Sequence, residues 1–309
     1  MTIHEELTRR HPIRRTEEQK HAFRQWAIDR AGQAGYSARV EENGRAQIKN
    51  VIIGDPDSAA VIFSAHYDTP SRMLIPDMKF PRSIPVAVCL HMLLVLLGIA
   101  ISVAVLSLVH LFTPDGYVLF ATFVLCYVGL LVLISCGPAN RNNANESSGV
   151  AALLQLIAAL PEEDRDKCAF ILFDGGTKGR TGSKAWAKDH AELAWMRLLV
   201  DLDKVGVGDH ALLVSSSMAR RCTGFNTLEK VLAETPGLTA HFYDGKTTLT
   251  GGDSRSFKCG VALMVCEQRP GLGFVIGRIA TARDTLCEQR CLDWVVTGLT
   301  GFVRRMGKE

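Results

Sequence analysis

The chain has 309 residues, a formal net charge of +3 and nine cysteines. That length makes one large domain or two modest ones, with room for a sizeable core. The basic residues are scattered, with no stripe of Lys and Arg interleaved with aromatics, so nucleic acid is not an expected partner.

No C-x-x-C pair occurs, and Cys287 and Cys291, four apart, suit one helix face better than a zinc knuckle. Reduced, buried thiols are expected, and Cys89, Cys126 and Cys136 fall in very apolar stretches. The opening MTIHEELTRRHPIRR is charged and has no apolar core, so no signal peptide is expected.

In chain order, 16–33 reads as a helix behind a Thr cap, with Phe23, Trp26, Ala27 and Ala31 at helical spacing. Residues 37–42 and 46–53 read as strands around Asn43-Gly44, and AAVIFSA (59–65) as a buried parallel strand. After Arg82 the composition changes. Residues 84–112 are almost wholly apolar, Thr113-Pro114-Asp115 breaks the run, and 116–136 is a second run without a charge.

Each run reaches the roughly 20 residues that a helix needs to cross a bilayer. Two helices apolar on every side are hard to bury inside a chain of this size. A transmembrane hairpin over 83–137 is therefore expected, with the bilayer as partner. Gly98, Ala100, Ser102, Ala104 and Gly129 would permit close helix contact. Arg72, Lys79, Arg82 and Arg141 flank its base and only Asp115 marks the tip, which puts both ends on the cytoplasmic side of the inner membrane. Residues 1–82 and 138–309 then form one discontinuous cytoplasmic domain.

Beyond the hairpin, 148–160 reads as a helix, CAFILFD (168–174) as a strand and GSKAWAKDHAE as a helix. LLVDLD is a strand, a helix follows Thr223, VALMVCE is a strand, and 287–305 is the last helix. Strands alternating with helices imply an α/β fold with a mostly parallel central sheet flanked by helices. Ligands of such sheets bind at the carboxyl ends of the strands, where His66-Tyr67-Asp68, Asp174 and Asp201-Leu202-Asp203 fall. A His with an Asp two residues on fits a metal ligand and the carboxylate that orients it.

Six segments in order, SAHYDTP, NANESSGVAALLQL, LFDGGTKGRTGSKAWAKDH, LLVDLDKVG, GDSRSFKCGV and RIATARDT, resemble metallopeptidase family twenty-eight, the di-zinc aminopeptidases. The resemblance implies a zinc-aminopeptidase-like fold with the hairpin as an addition. It also implies two zinc ions that share an aspartate and a water, and a glutamate as general base. On this sequence His66 stands at a ligand position, Asp68 beside it, and Asp203 at a terminal ligand. The bridging position holds Asn145, the general-base position Gly176, the adjacent ligand Thr177 and the final ligand Ala280.

Four positive charges balanced by one remaining carboxylate would leave buried charge uncompensated, at several kcal/mol per ion. Two zinc ions are therefore not expected, and His66, Asp203 and the Asn145 oxygen would hold at most one residual zinc. Glu146, one residue past the bridge, reads as a solvent-facing loop residue. A phosphate loop is excluded because Thr177 stands five residues before Gly182, and 252–256 lacks the second glycine of a nucleophile elbow. Arg180, Arg255 and Arg283 fall near the motifs and read as surface guanidiniums, with an anion-attracting cleft as the other reading.

The expectation is a membrane-anchored relative of zinc aminopeptidases that has lost catalysis and binds a peptide or protein. The alternative is an active metallo-aminopeptidase with a reduced or relocated metal site.

Overall fold

The computed structural model describes residues 1–44, 48–73, 77–135 and 137–306. Cys136 and the first two residues of the expected strand 46–53 lie outside them.

The first two helices are set by their caps. The Thr2 hydroxyl accepts from Glu5 N–H and Glu5 reaches back to Thr2, which opens α1 (Ile3–Arg10). Thr16 and Gln19 do the same for α2 (Glu17–Gln33). The strands β1 (Ala38–Asn43) and β2 (Ile48–Ile53) pair antiparallel, and β2 pairs antiparallel with β5 (Cys168–Phe173). From there β5, β3 (Val61–His66), β6 (Leu198–Leu202) and β9 (Gly260–Arg269) run parallel.

The far edge of β9 forks. Its first part pairs with β7 (His210–Ser215), which carries β8 (Thr239–Asp244). Its last residues pair with β10 (Gly273–Ile279), which carries β4 (Asp77–Lys79). The centre is parallel as expected, and both flanks are antiparallel, so the ten-stranded sheet is mixed.

Alternation along the central strands builds two cores. Val61, Phe63 and Ala65 face one side with α2, α5 (Ser148–Ala159), α8 (Phe225–Glu234) and α9 (Gln289–Met306). Ile62 faces the other with Phe173, Trp186 of α6 (Thr181–Asp189) and Ala194 of α7 (Ala191–Met196). The start of α5 lies so close to β6 that a Cβ on Gly149 would come within 2.1 Å of the Leu202 carbonyl oxygen. Only glycine fits there, which accounts for the S-G-V of that segment.

Between β4 and α5 the chain makes α3 (Ile84–His110) and α4 (Gly116–Ser135). Their main packing partner is each other. Among the described residues of the pair only Ser102 is buried, its hydroxyl donating to the Gly98 carbonyl at 2.9 Å. Gly98 leaves room for the Tyr127 ring, whereas Gly129 faces open space. Both helices are long and apolar enough to cross a membrane.

The neck of the pair is tied to the sheet. Ser71 bridges to Ala139, Arg82 donates to Thr247 Oγ1 at 2.8 Å, and Ser83 donates to the Leu272 carbonyl at 2.8 Å. Strands from before and after the helix pair share the one sheet.

Candidate functional site

A cleft of about 230 Å³ opens where β3, β5 and β6 end. Strand β3 delivers His66, β6 leads into Asp203 and Lys204, and the turn before β9 supplies Asp253. The segment before α5 adds Glu146, and β4 adds Lys79.

His66 lies between two carboxylates. Its Nε2 is 3.1 Å from Glu146 Oε1, and its Nδ1 is 3.9 Å from Asp253 Oδ2. Burial alone would lower the His66 pKa. The hydrogen bond to Glu146, with the charges of Glu146 and Asp68, outweighs it and carries the imidazole up to about 9. Burial would raise Glu146, but Lys204 and His66 bring it down to about 2.

Lys204 is 4% exposed and has a left-handed backbone, φ +59°. Its ammonium donates to Asp203 Oδ1 and lies 3.4 Å from Glu146 Oε1. Against the pull of burial, the charges of Asp203 and Glu146 hold Lys204 well above its ordinary value. Asp203, against the same pull, is held well below its own by Lys204. A continuous buried chain of charge results: Asp253, His66, Glu146, Lys204, Asp203.

Asp201 is used differently. It accepts from Ser64 Oγ at 3.0 Å and from Ser254 N–H at 3.1 Å. Burial, with Asp253 and Asp203 nearby, pushes it up to about 7.

The glycine-rich loop after β5 closes the other wall. Asp174 is fastened from below by Lys20 at 2.5 Å and by Asn50, which accepts from its N–H at 2.9 Å. Gly176 N–H donates to Asp68 Oδ1 at 2.7 Å, and the Thr177 N–H and hydroxyl donate to Asp68 Oδ2. The backbone is pressed so tightly onto His66 that a Cβ at Gly176 would lie 2.4 Å from the His66 Cγ. No side chain fits at 176 in this arrangement.

Of the sequence-predicted residues, His66 and Asp203 share the cleft, with Thr177 and Ala280 on its wall. Ala280 takes a left-handed backbone, φ +55°, and its carbonyl accepts from Met73 N–H. Asn145 turns away, its Oδ1 accepting from Gly206 N–H at 3.0 Å. Asp68 does not bond His66 as the H-x-D spacing suggested, because its oxygens are taken by the loop.

Glu146 is no solvent-facing residue. It is 6% exposed, anchored by Asp284, which accepts from its N–H at 3.2 Å, and directed at His66 and Lys204. The basic residues of the cleft are Lys79 and Lys204, not Arg180, Arg255 or Arg283. Sequence reasoning missed Lys204, Asp253 and Lys79. The signal for Lys204 was present in DLDK, where a lysine adjoins Asp203 and pairs with its carboxylate. Among the described residues, no group of three or more His, Cys, Asp or Glu is arranged to hold a metal ion.

The sequence model of Peptidase family M28 matches residues 144–259. No curated protein matches the chain. Among solved structures, glutaminyl cyclase of Porphyromonas gingivalis superposes with a TM-score of 0.61 at 12% identity, over 98% of this chain and 97% of that one. A Zn-dependent exopeptidase of Parabacteroides distasonis gives 0.56 at 14% identity, over 94% and 91%. The LapA aminopeptidase of Legionella pneumophila gives 0.59 at 11%, over 99% and 70%. The chain carries the fold of the zinc exopeptidases and glutaminyl cyclases, with the sequence pattern of Peptidase family M28 over 144–259 and an apolar helix pair inserted before α5.

Proposed function

We propose that the protein is a membrane-anchored, peptidase-like binding module that works without zinc and without peptide hydrolysis. The observation that carries the reading is the Lys204 ammonium seated between Asp203 and Glu146. Zinc needs deprotonated donors with free lone pairs. Here Asp203 is engaged by Lys204, His66 Nε2 by Glu146, and the Asn145 oxygen by Gly206 N–H. An arriving cation would meet an ammonium in a buried site where like charges repel strongly. The residues present therefore do not fit the two zinc ions of the related peptidases.

A hydrolytic base is missing as well. Gly176 has no side chain to offer, and a Glu146 carboxylate held near 2 and bonded to two cations is too weak to take a proton from water. What the cleft retains is shape and fixed charge, which suit binding a peptide or another small ligand. In this reading α3 and α4 span the inner membrane. Arg72, Arg82 and Arg141 keep the neck on the cytoplasmic side, and the residues flanking the pair form one discontinuous cytoplasmic domain.

The test is elemental analysis of the purified full chain together with an aminopeptidase assay on small aminoacyl amides. Zinc well below one per chain and no turnover are expected. Stoichiometric zinc, with turnover that His66→Ala and Asp203→Ala each abolish, would install the active metallo-aminopeptidase in its place.

A further inference from the structure

We propose that the loop from Lys246 to Leu249, together with Arg82, docks onto an anionic phospholipid headgroup at the bilayer surface. This rests on the reading of α3 and α4 as a membrane anchor and names the lipid beside it. The loop is fastened to the root of α3. Leu249 N–H donates to the Pro81 carbonyl at 2.8 Å, and Arg82 Nη1 donates to the Thr247 carbonyl at 3.1 Å and to Thr247 Oγ1 at 2.8 Å. Helix α3 begins at Ile84, so the Arg82 backbone lies within about 7 Å of its first residue. The headgroup layer on each side of a bilayer is roughly 5–7 Å thick.

The Arg82 guanidinium is oriented by the protein alone. Its carbon lies 4.3 Å from the centre of the Tyr243 ring, and Nη1 is bonded to the loop. Nε and Nη2 have no acceptor among the described residues. That leaves open an N–H edge of the kind that holds a phosphate by two parallel bonds.

Lys246 is exposed and stands next to Thr247. The acids nearby are engaged. Asp244 Oδ1 accepts from the Lys246 N–H at 2.8 Å and its Oδ2 lies 3.8 Å from Arg220, while Glu267 pairs with Arg269 at 2.6 Å. Arg82 and Lys246 are left without a carboxylate partner among the described residues. Leu249, on the same loop, is 43% exposed. Two such cations beside an exposed leucine, at the root of an apolar helix, match a headgroup of net negative charge with its glycerol and first methylenes. A choline headgroup brings a cation that the pair repels. The loop runs on into Gly251 and Gly252 of the cleft wall, so docking also holds one rim of the cleft at the membrane surface.

The experiment places the full chain in nanodiscs of phosphatidylcholine alone and of equal parts phosphatidylcholine and phosphatidylglycerol. Amide hydrogen exchange over 244–250 is followed by mass spectrometry, with β5 at the centre of the sheet as reference. Exchange of the loop should slow by at least about fivefold in the anionic discs, and Lys246→Gln and Arg82→Gln should each remove most of that difference. Salt at about 1 M, which screens charge beyond about 3 Å, should remove it too.

The Lys246 side chain has no partner among the described residues, so Lys246→Gln should leave the thermal midpoint in detergent and the exchange of β5 unchanged. Equal loop exchange in the two discs, or a difference that survives both substitutions, would overturn the docking. The two levels fail separately. A chain that enters both discs with equal loop exchange sinks this inference alone, and a chain that enters neither sinks the anchor reading beneath it.

Discussion

The helix pair and the cleft depart from a soluble globule in opposite directions. On α3 and α4, leucine, valine and phenylalanine side chains face outward, and among the described residues a single serine is buried. In the cleft His66, Glu146, Asp203, Lys204 and Asp253 are all less than a tenth exposed. The first region presents an apolar surface, and the second keeps its charged side chains mostly buried.

Each region resolves its conflict by a different partner. The helices are long and apolar enough to cross a bilayer, a partner that would lie outside the chain. The cleft supplies its own counter-ions, with one lysine seated between two carboxylates. An apolar surface can wait for its environment, whereas buried charge must be balanced within the fold itself.

The sharpest way to break this contrast is Lys204→Met. Removing the ammonium leaves Asp203 and Glu146 buried without their cation, and a loss of about 3–5 kcal/mol in unfolding free energy is expected. Denaturant titration of the wild type and variant measures it. Adding Asp203→Asn and Glu146→Gln should restore much of the loss. An unchanged midpoint in the single variant would mean that the carboxylates have another partner.

On the helix side, Leu97 is 52% exposed near the middle of α3. Leu97→Arg should oppose insertion by roughly 3 kcal/mol, seen as a larger share of chains extracted from membranes by alkali. Retention equal to the wild type would remove the bilayer from the account of this helix.

The smallest effect expected is on pH. Asp201 is raised from its ordinary 3.8 to about 7, so its contribution to stability is complete in acid and is lost as pH rises through the folded value. Between about pH 6 and pH 8 that loss is about 1 kcal/mol. His66, raised to about 9, adds a loss of the same sign over the upper part of that range. Thermal midpoints across this range should fall, and fall less steeply in Asp201→Asn. A flat profile in the wild type would show that these groups titrate normally.

Much of the fold was legible because the strongest periodicities are also the buried ones. The central strands, α2 behind its Thr16 cap, α5, α9 and both apolar helices stand within a few residues of where the pattern puts them. The misses include β7, apolar and almost wholly buried, and β10, together with elements whose pattern is weak. Strand β8 (THR-ALA-HIS-PHE-TYR-ASP in sequence) is nowhere fully buried, and β4 is three residues long and becomes a strand only by adding to β10. The Thr2–Glu5 capping box is the signal in the sequence for α1.

The sequence by itself determined which side chains stand at the motif positions. Gly176, Thr177, Asn145 and Ala280 cannot supply a base, a bridging carboxylate or an imidazole in any conformation. It also determined that two long runs without Asp, Glu, Lys or Arg form helices apolar enough to cross a membrane. Only the tertiary structure decided where the remaining charges go. Glu146 turns into the cleft, Asn145 turns away from it to a buried bond with Gly206 N–H, and Lys204 enters the gap between Glu146 and Asp203. The physical reason is range: composition is carried by single residues, but the energy of a buried charge depends on partners such as Glu146, 80 positions from His66, that the fold brings within 4 Å.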